Sequence, residues 1–292
     1  MNIRWNDSRC ILCLEELPLT SEHVIPQVLG GRLKSAFLCA RCNSELGTSQ
    51  DAKLKSDAMI RGSALELRPV LPGLVEALDE GGAYVGSSAI GEFQGTVKKG
   101  VFRPRPLRPG DGSLMLANPE AREAIVRMLK KEGRDAEIPA ALERFDAARP
   151  NDRIEVAPGI QMIEWQTERI RPVLEVGAAV PDTWPLKTAY EFLAFCLGRA
   201  IYSDVFQPYR EILRSGSWNG DAAGVERLQA EQLSPLHGLL LEPNAPHTVV
   251  QVRLFRRVCY RVHFRRIAAT GPRVIYSQNL AEPSETLAIL ES

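Results

Sequence analysis

Four cysteines near the start of the chain have the spacing of a metal site. They form two Cys-x-x-Cys pairs, Cys10 with Cys13 and Cys39 with Cys42. A pair with this spacing turns tightly enough to place both sulfurs on one ion, and four thiolates close a tetrahedral zinc site with no open position. The sequence therefore predicts a structural zinc ion, which folds this segment and performs no chemistry.

Three polar residues beside the cysteines could carry a reaction. Glu22 and His23 are adjacent, and Asn43 directly follows the last cysteine. A neutral imidazole can take a proton from water at neutral pH. Carboxylate and amide oxygens bind hard divalent cations such as Mg²⁺. A plain zinc site needs none of these residues, and together they could bring a second metal and a phosphodiester to one place.

Taken in order, these motifs resemble those of the HNH, or ββα-metal, endonucleases. The resemblance is to the subgroup with a Cys-x-x-Cys pair on each side of a Glu-His or Asp-His dipeptide, and it covers about residues 8 to 55. It implies that Glu22 and Asn43 hold a catalytic Mg²⁺ or Mn²⁺, and that His23 is the general base. It also implies that the four cysteines hold the structural zinc ion.

Two positions depart from the pattern of this family. No asparagine stands at residues 34–36, where many relatives have one that orients the base. Gly47 stands one helical turn after Asn43, where many relatives have a further ligand. Asp51, two turns after Asn43, is therefore a candidate to assist the metal, although it could equally cap a helix or pair with Lys55.

Each candidate also has a structural alternative. His23 could be a buried structural histidine, Glu22 a solvated strand residue, and Asn43 a helix N-cap, a position that favours asparagine. Adjacent residues of an extended strand point to opposite sides. A bend or a strand end at Glu22–His23 is therefore needed to bring both side chains to one cleft.

Composition limits the remaining possibilities. The 292 residues are 45% hydrophobic, which is enough for a sizeable core. Lys and Arg total 36, as do Asp and Glu, so a globally basic nucleic-acid binder is not indicated. No run approaches 18 apolar residues and no apolar signal segment opens the chain, so we expect no membrane span. Zinc thiolates need reduced cysteines, which favours the cytoplasm.

The rest of the chain predicts an α+β fold. We divide it into a module over residues 1–60, a connector or irregular β region over 61–117, and an α+β domain over 118–292. The strongest predicted helix covers 185–202, and residues 216–246 are rich in turn formers. Alternating apolar residues predict antiparallel strands near 248–255 and 258–266, and a third near 273–277.

A basic ribbon within the last predicted strands is a second candidate for nucleic-acid contact. Between His247 and Arg273 there are seven arginines and neither Asp nor Glu. Such a ribbon could follow a phosphate backbone. The alternative is the polar face of a sheet whose charge is balanced by acids elsewhere. The candidates for nucleic-acid binding are Arg253, Arg257, Arg261 and Arg265.

These observations together predict a metal-dependent endonuclease that hydrolyses phosphodiester bonds in DNA. The alternative is a non-catalytic zinc-binding module that docks nucleic acid or protein. Nucleases of this type are common in phage defence and mobile elements, so such a role is expected by analogy alone. The sequence leaves open whether the chain forms a homodimer, and whether it needs an activating ligand or partner protein.

Overall fold

A computed structural model gives the structure of the chain. It describes residues 5, 7–79, 83–88, 91–98, 101–104, 114–116, 118–164, 169–172, 180–244, 247–268 and 271–290. These residues form the predicted mixture of helices and antiparallel strands, with the zinc-ligand cysteines in the N-terminal part and an antiparallel sheet in the C-terminal part. The α+β fold class is therefore confirmed.

The chain divides into two compact units. One contains residues 1–78 together with 174–292, and the other contains residues 79–173. The boundaries predicted at residues 60 and 117 differ from this division, because the N-terminal segment packs with the C-terminal one. Composition along the chain cannot show that a chain leaves a unit and later returns to it.

The N-terminal segment contains one hairpin followed by helices. Strands β1 and β2 pair antiparallel, and a π-helical turn over Gly47–Asp51 extends the first helix. The predicted helix start near Cys42 lies two residues inside the observed helix. The elements are β1 (Leu19–His23), β2 (Lys34–Cys39), α1 (Ala40–Leu46), α2 (Ala52–Leu54), α3 (Ala58–Glu66) and α4 (Pro72–Asp79).

The described residues of the unit formed by residues 79–173 form two small sheets and two α-helices. One sheet has the strand order β5-β4-β3-β9, and the other has the order β6-β8-β7. The helices pack with the second sheet around a separate apolar core that includes Ile125, Phe145 and Met162. The elements are β3 (Ala83–Ser88), β4 (Gly91–Lys98), β5 (Val101–Pro104), β6 (Leu114–Leu116), α5 (Asn118–Lys131), α6 (Ile138–Ala147), β7 (Arg153–Ala157), β8 (Ile160–Glu164) and β9 (Arg169–Pro172).

The C-terminal segment returns to the first unit with a buried helix and a six-stranded antiparallel sheet. The strand order is β10-β13-β12-β11-β14-β15. Residues 184–194 of helix α7 are all buried, and they share one core with the cysteine-bearing segment. The elements are α7 (Thr183–Leu197), α8 (Gln207–Ser215), β10 (Ala223–Arg227), β11 (Leu236–Asn244), β12 (His247–Leu254), β13 (Val258–Phe264), β14 (Arg273–Asn279) and β15 (Ser284–Leu290).

Candidate metal centre and active site

The four predicted zinc ligands meet at one point. The sulfurs of Cys10, Cys13, Cys39 and Cys42 all lie within 4.8 Å of one another. The sulfurs of Cys13 and Cys39 are 3.8 Å apart, far beyond a disulfide bond. Tetrahedral zinc with sulfur ligands at about 2.3 Å requires a sulfur–sulfur separation of about 3.8 Å. The donor set and its spacing therefore fit a structural zinc ion.

Local backbone geometry builds the two halves of this cage. In the first half, the Leu14 N–H donates to the Cys10 carbonyl at 3.0 Å, and Leu14 takes a positive φ of 64° to close the turn. In the second half, Cys39 ends β2 and is the N-cap residue of α1, so strand and helix meet at the metal site. A hydrogen bond from the Cys42 thiol lowers the pKa of Cys10 to about 4, which favours the thiolate that zinc binds.

The β1–β2 hairpin places Glu22 and His23 on opposite faces. Glu22 pairs with Ser35 across the ladder, and both side chains are buried. His23 is the last residue of β1 and pairs with Lys34, and both of these are half-buried. The strand end that the sequence required is therefore present, but the two side chains start from opposite sides of the strand.

The loop that follows His23 is anchored on the C-terminal sheet. Gly30 has a positive φ of 82°, and a Cβ on Gly31 would lie 1.8 Å from the carbonyl oxygen of Ile25, so only glycine fits this second position. The His237 Nε2–H donates to the Leu29 carbonyl at 2.9 Å, and the Arg32 N–H donates to Gln278 at 3.0 Å. These contacts to β11 and β14 hold in place the loop that follows the Glu22–His23 dipeptide.

His23 has the charge state that a general base needs. Burial, followed by the positive charges of Lys34 and Lys187, lowers the pKa of His23 below its ordinary value. The imidazole is therefore neutral at pH 7 and can accept a proton. No hydrogen bond to the His23 ring exists among the residues that the structure describes, so nothing there occupies its nitrogens.

Asn43 ties helix α1 to the strand that carries Glu22 and His23. Its amide nitrogen donates to the Thr20 hydroxyl at 3.0 Å and to the Ser21 carbonyl at 3.4 Å. Asn43 lies inside α1, whose N-cap is Cys39, so the helix-cap alternative does not apply. With its nitrogen held on β1, the amide oxygen of Asn43 is the atom left to serve as a metal ligand.

Glu22 is held by a buried ion pair that the sequence did not predict. Its Oε1 accepts a hydrogen bond from Lys187 Nζ at 2.7 Å, and the same ammonium donates to Asp51 Oδ2 at 2.9 Å. Burial raises the pKa of Glu22, and the positive charge of Lys187 opposes this shift. Glu22 is only 7% exposed, so it is not the solvated strand residue of the alternative interpretation.

Asp51 joins the same cluster from the end of the π-helical turn. Its second oxygen accepts a hydrogen bond from the Trp184 indole nitrogen at 3.2 Å. Asp51 precedes α2 but makes no side-chain cap hydrogen bond there. The structure therefore links Asp51 to Glu22 through Lys187, and assistance of the metal by Asp51 stays a prediction.

Sequence reasoning missed Lys187 and Glu191, which lie four residues apart on α7. Glu191 is 1% exposed, and its Oε1 lies 3.7 Å from Lys187 Nζ. A signal was present in the sequence, since these are the two charged residues of the largely apolar run of residues 184–195. Charged residues are rarely buried unless they are paired, so two charges in such a run indicate a buried polar site.

Three of the four candidate arginines are paired with carboxylates from other parts of the chain. Arg253 binds Glu231 at 2.8 Å, Arg261 binds Glu226 at 3.2 Å, and Arg257 binds Glu66. Arg265 is exposed. These pairings match the alternative of a charge-balanced sheet face, and nucleic-acid binding by these arginines stays a prediction.

Comparison with known proteins supports the assignment of the N-terminal segment. Residues 10–59 match the family model described as HNH endonuclease. No curated protein and no solved structure was found to match the chain. Among the residues that the structure describes, no helix is both long and apolar enough to cross a membrane.

Proposed function

Residues 10–59 form a domain of the HNH endonuclease family, and from this premise we propose that the chain is a metal-dependent endonuclease acting on DNA. In this proposal Glu22 and Asn43 hold a Mg²⁺ or Mn²⁺ ion, and His23 removes a proton from the attacking water. The ion would bind a phosphate oxygen and stabilise the leaving oxygen. The zinc ion would hold the hairpin and helix together.

The observation that carries this proposal is the clamp between α1 and β1. Asn43 donates hydrogen bonds to Thr20 and Ser21, which directly precede Glu22 and His23. The cysteine cage lies at the same end of these elements, because Cys39 joins β2 to α1 and pairs with Leu19 at the start of β1. A neutral imidazole, a carboxylate and an amide oxygen are thus fixed within one small hairpin-and-helix unit.

We propose that the chain acts in the cytoplasm. All four cage cysteines are free of disulfides, which fits a reducing cytoplasm. A role in phage defence or in mobile elements remains a prediction by analogy. DNA is the proposed substrate, and RNA is the comparison that the assay must include.

A non-catalytic zinc-binding module is the second candidate function. The observation that favours it is the buried pairing of Glu22 with Lys187, which is typical of a structural ion pair. This alternative predicts binding of nucleic acid or protein with no cleavage in any divalent cation. It is tested by incubating the zinc-loaded chain with supercoiled plasmid, linear duplex and RNA, with and without Mg²⁺ or Mn²⁺. Mg²⁺-dependent nicking that copurifies with the chain supports the endonuclease.

Asn43→Ala is expected to raise the Mg²⁺ concentration needed for half-maximal cleavage by at least about tenfold, because it removes an oxygen ligand. Asn43→Asp supplies an oxygen again and should recover most of the affinity. Thr20→Val removes one of the two hydrogen-bond partners of Asn43 and leaves the amide oxygen in place, so its effect measures the positioning of Asn43 separately from the loss of the ligand. Equal Mg²⁺ dependence in wild type and Asn43→Ala would remove Asn43 from the metal site.

Lys34→Ala is expected to move the acid limb of the cleavage rate to higher pH. Lys34 lowers the pKa of His23 in the wild type, so the base stays neutral until the pH falls below the ordinary histidine value. Without that positive charge the pKa rises, and the base becomes protonated at a higher pH. The measurement is kcat/KM against pH, and Lys34→Arg should leave the limb in place. If the acid limb of Lys34→Ala lies at the wild-type pH, the limb reflects protonation of a group other than His23.

A further inference from the structure

Lys187 lies at the centre of a buried cluster of three carboxylates. The ammonium is 0% exposed and lies 2.7 Å from Glu22, 2.9 Å from Asp51 and 3.7 Å from Glu191. Helix α7 supplies the lysine and Glu191, whereas the cysteine-bearing segment supplies the other two acids. The carboxylate proposed to bind the catalytic cation is thus already bound to a cation of the protein itself.

The carboxylates of this cluster outnumber their counter-ion. Both carboxylate oxygens of Glu191 are buried without a hydrogen-bond partner, and its distance to Lys187 is too long for a hydrogen bond. Buried polar groups without partners are costly, and a missing ion is one of the usual reasons for them. The cluster therefore has more acceptor capacity than a single ammonium uses.

We propose that Lys187 competes with the divalent cation for Glu22, so that the chain rests with Glu22 closed onto α7 and opens when the metal binds. This inference rests on the proposed function, because it assumes that Glu22 is a metal ligand. When Glu22 turns to the metal, Asp51 and Glu191 keep the ammonium paired inside the protein. Lys187 then never becomes an isolated buried charge, which would be strongly unfavourable.

The regulatory consequence concerns the C-terminal segment. Helix α7 packs on β10, β11, β12 and β13, so any event that shifts α7 alters the hold of Lys187 on Glu22. The affinity of the nuclease site for its cation is therefore set partly by residues 174–292. An isolated segment of residues 1–60 would lack this control.

The test compares Mn²⁺ affinities of the full zinc-loaded chain by electron paramagnetic resonance of the free ion. Lys187→Met with Glu191→Gln removes the ammonium and the acid that shares its helix, and it leaves Glu22 and Asp51 in place. We expect the Kd for Mn²⁺ to fall at least about tenfold in this double variant. Glu191→Gln alone keeps Lys187 and should give no gain in affinity.

Glu22→Gln is added to the wild type and to the double variant. It distinguishes a failure of the proposed function from a failure of the competition between Lys187 and the cation. Loss of the Mn²⁺ site in both backgrounds supports Glu22 as a ligand, and the gain in the double variant then supports the competition. If Glu22→Gln lowers wild-type affinity but the folded double variant binds no more tightly than wild type, the competition is wrong and the proposed function stands. Mn²⁺ binding that Glu22→Gln leaves unchanged in both chains overturns the competition and the role of Glu22 in the proposed function.

A measurement on the wild-type chain covers the case in which the double variant does not fold. The ¹⁵N-labelled ammonium group of Lys187, identified by its absence in Lys187→Arg, should be visible by nuclear magnetic resonance because it is fully buried. Titration with Mg²⁺ should shift this signal as Glu22 leaves the ammonium. An unshifted signal at Mg²⁺ concentrations that support cleavage would show that the metal does not take Glu22 from Lys187.

Discussion

His23→Ala is expected to slow Mg²⁺-dependent DNA cleavage by about 10²- to 10⁴-fold, the usual contribution of a general base. The imidazole is held neutral at pH 7 because burial and neighbouring lysines lower its pKa. Alanine cannot take the proton from the attacking water, whereas the cation can still bind. The rate should therefore fall at saturating Mg²⁺, with little change in the Mg²⁺ concentration needed for half-maximal cleavage.

The fold should survive this substitution, which makes the rate loss interpretable. The His23 ring makes no hydrogen bond to the described residues, so its removal leaves no buried group unpaired. His263→Ala is a matched control, because His263 is also a half-buried strand histidine with a lowered pKa. His23→Ala cleaving at the wild-type rate, with zinc content unchanged, would exclude this residue as the base.

The zinc cage could be predicted from the sequence because its information is local. Each Cys-x-x-Cys pair forms its own turn, and the two halves needed only one hairpin to bring them together. The pattern could not show which way the Glu22 side chain points. Strand periodicity places adjacent side chains on opposite faces, but it does not show which face is buried.

The cluster around Lys187 could not be located from the sequence because its partners are far apart along the chain. Lys187 and Glu22 are 165 residues apart, and Lys187 and Asp51 are 136 apart. The arginines of the C-terminal sheet illustrate the same limit. No acid lies within their segment, yet Glu66, Glu226 and Glu231 reach three of them.

Strands were predicted best where apolar and polar residues alternate. Strands β12 and β13 lie within a residue or two of the predicted ranges. Strands β10 and β11 fall inside residues 216–246, which the sequence indicated as turns. The leucines at 239–241 are apolar on both faces of β11, so the sequence there shows no alternation, although Leu240 is less buried than Leu239 and Leu241.

Removal of the zinc ion is expected to abolish cleavage and to lower the midpoint of thermal unfolding of the first unit. Structural zinc sites of this kind contribute apparent binding energies of about 10 to 16 kcal/mol. Cys10, Cys39 and Cys42 are buried in the main core, and the Tyr190 hydroxyl on α7 donates to the Ile11 carbonyl at 2.8 Å. Loss of the cage should therefore loosen α7 as well as the hairpin.

The measurement is thermal unfolding and plasmid cleavage after treatment with 1,10-phenanthroline in excess Mg²⁺. Added zinc should restore both, whereas further Mg²⁺ should restore neither, since thiolates select the softer ion. Cys42→Ser should reproduce the loss, while Cys196→Ala, outside the cage, should keep one zinc ion per chain and normal cleavage. A zinc-free chain that still unfolds at the wild-type temperature and nicks DNA would mean that the four sulfurs do not organise His23, Glu22 and Asn43.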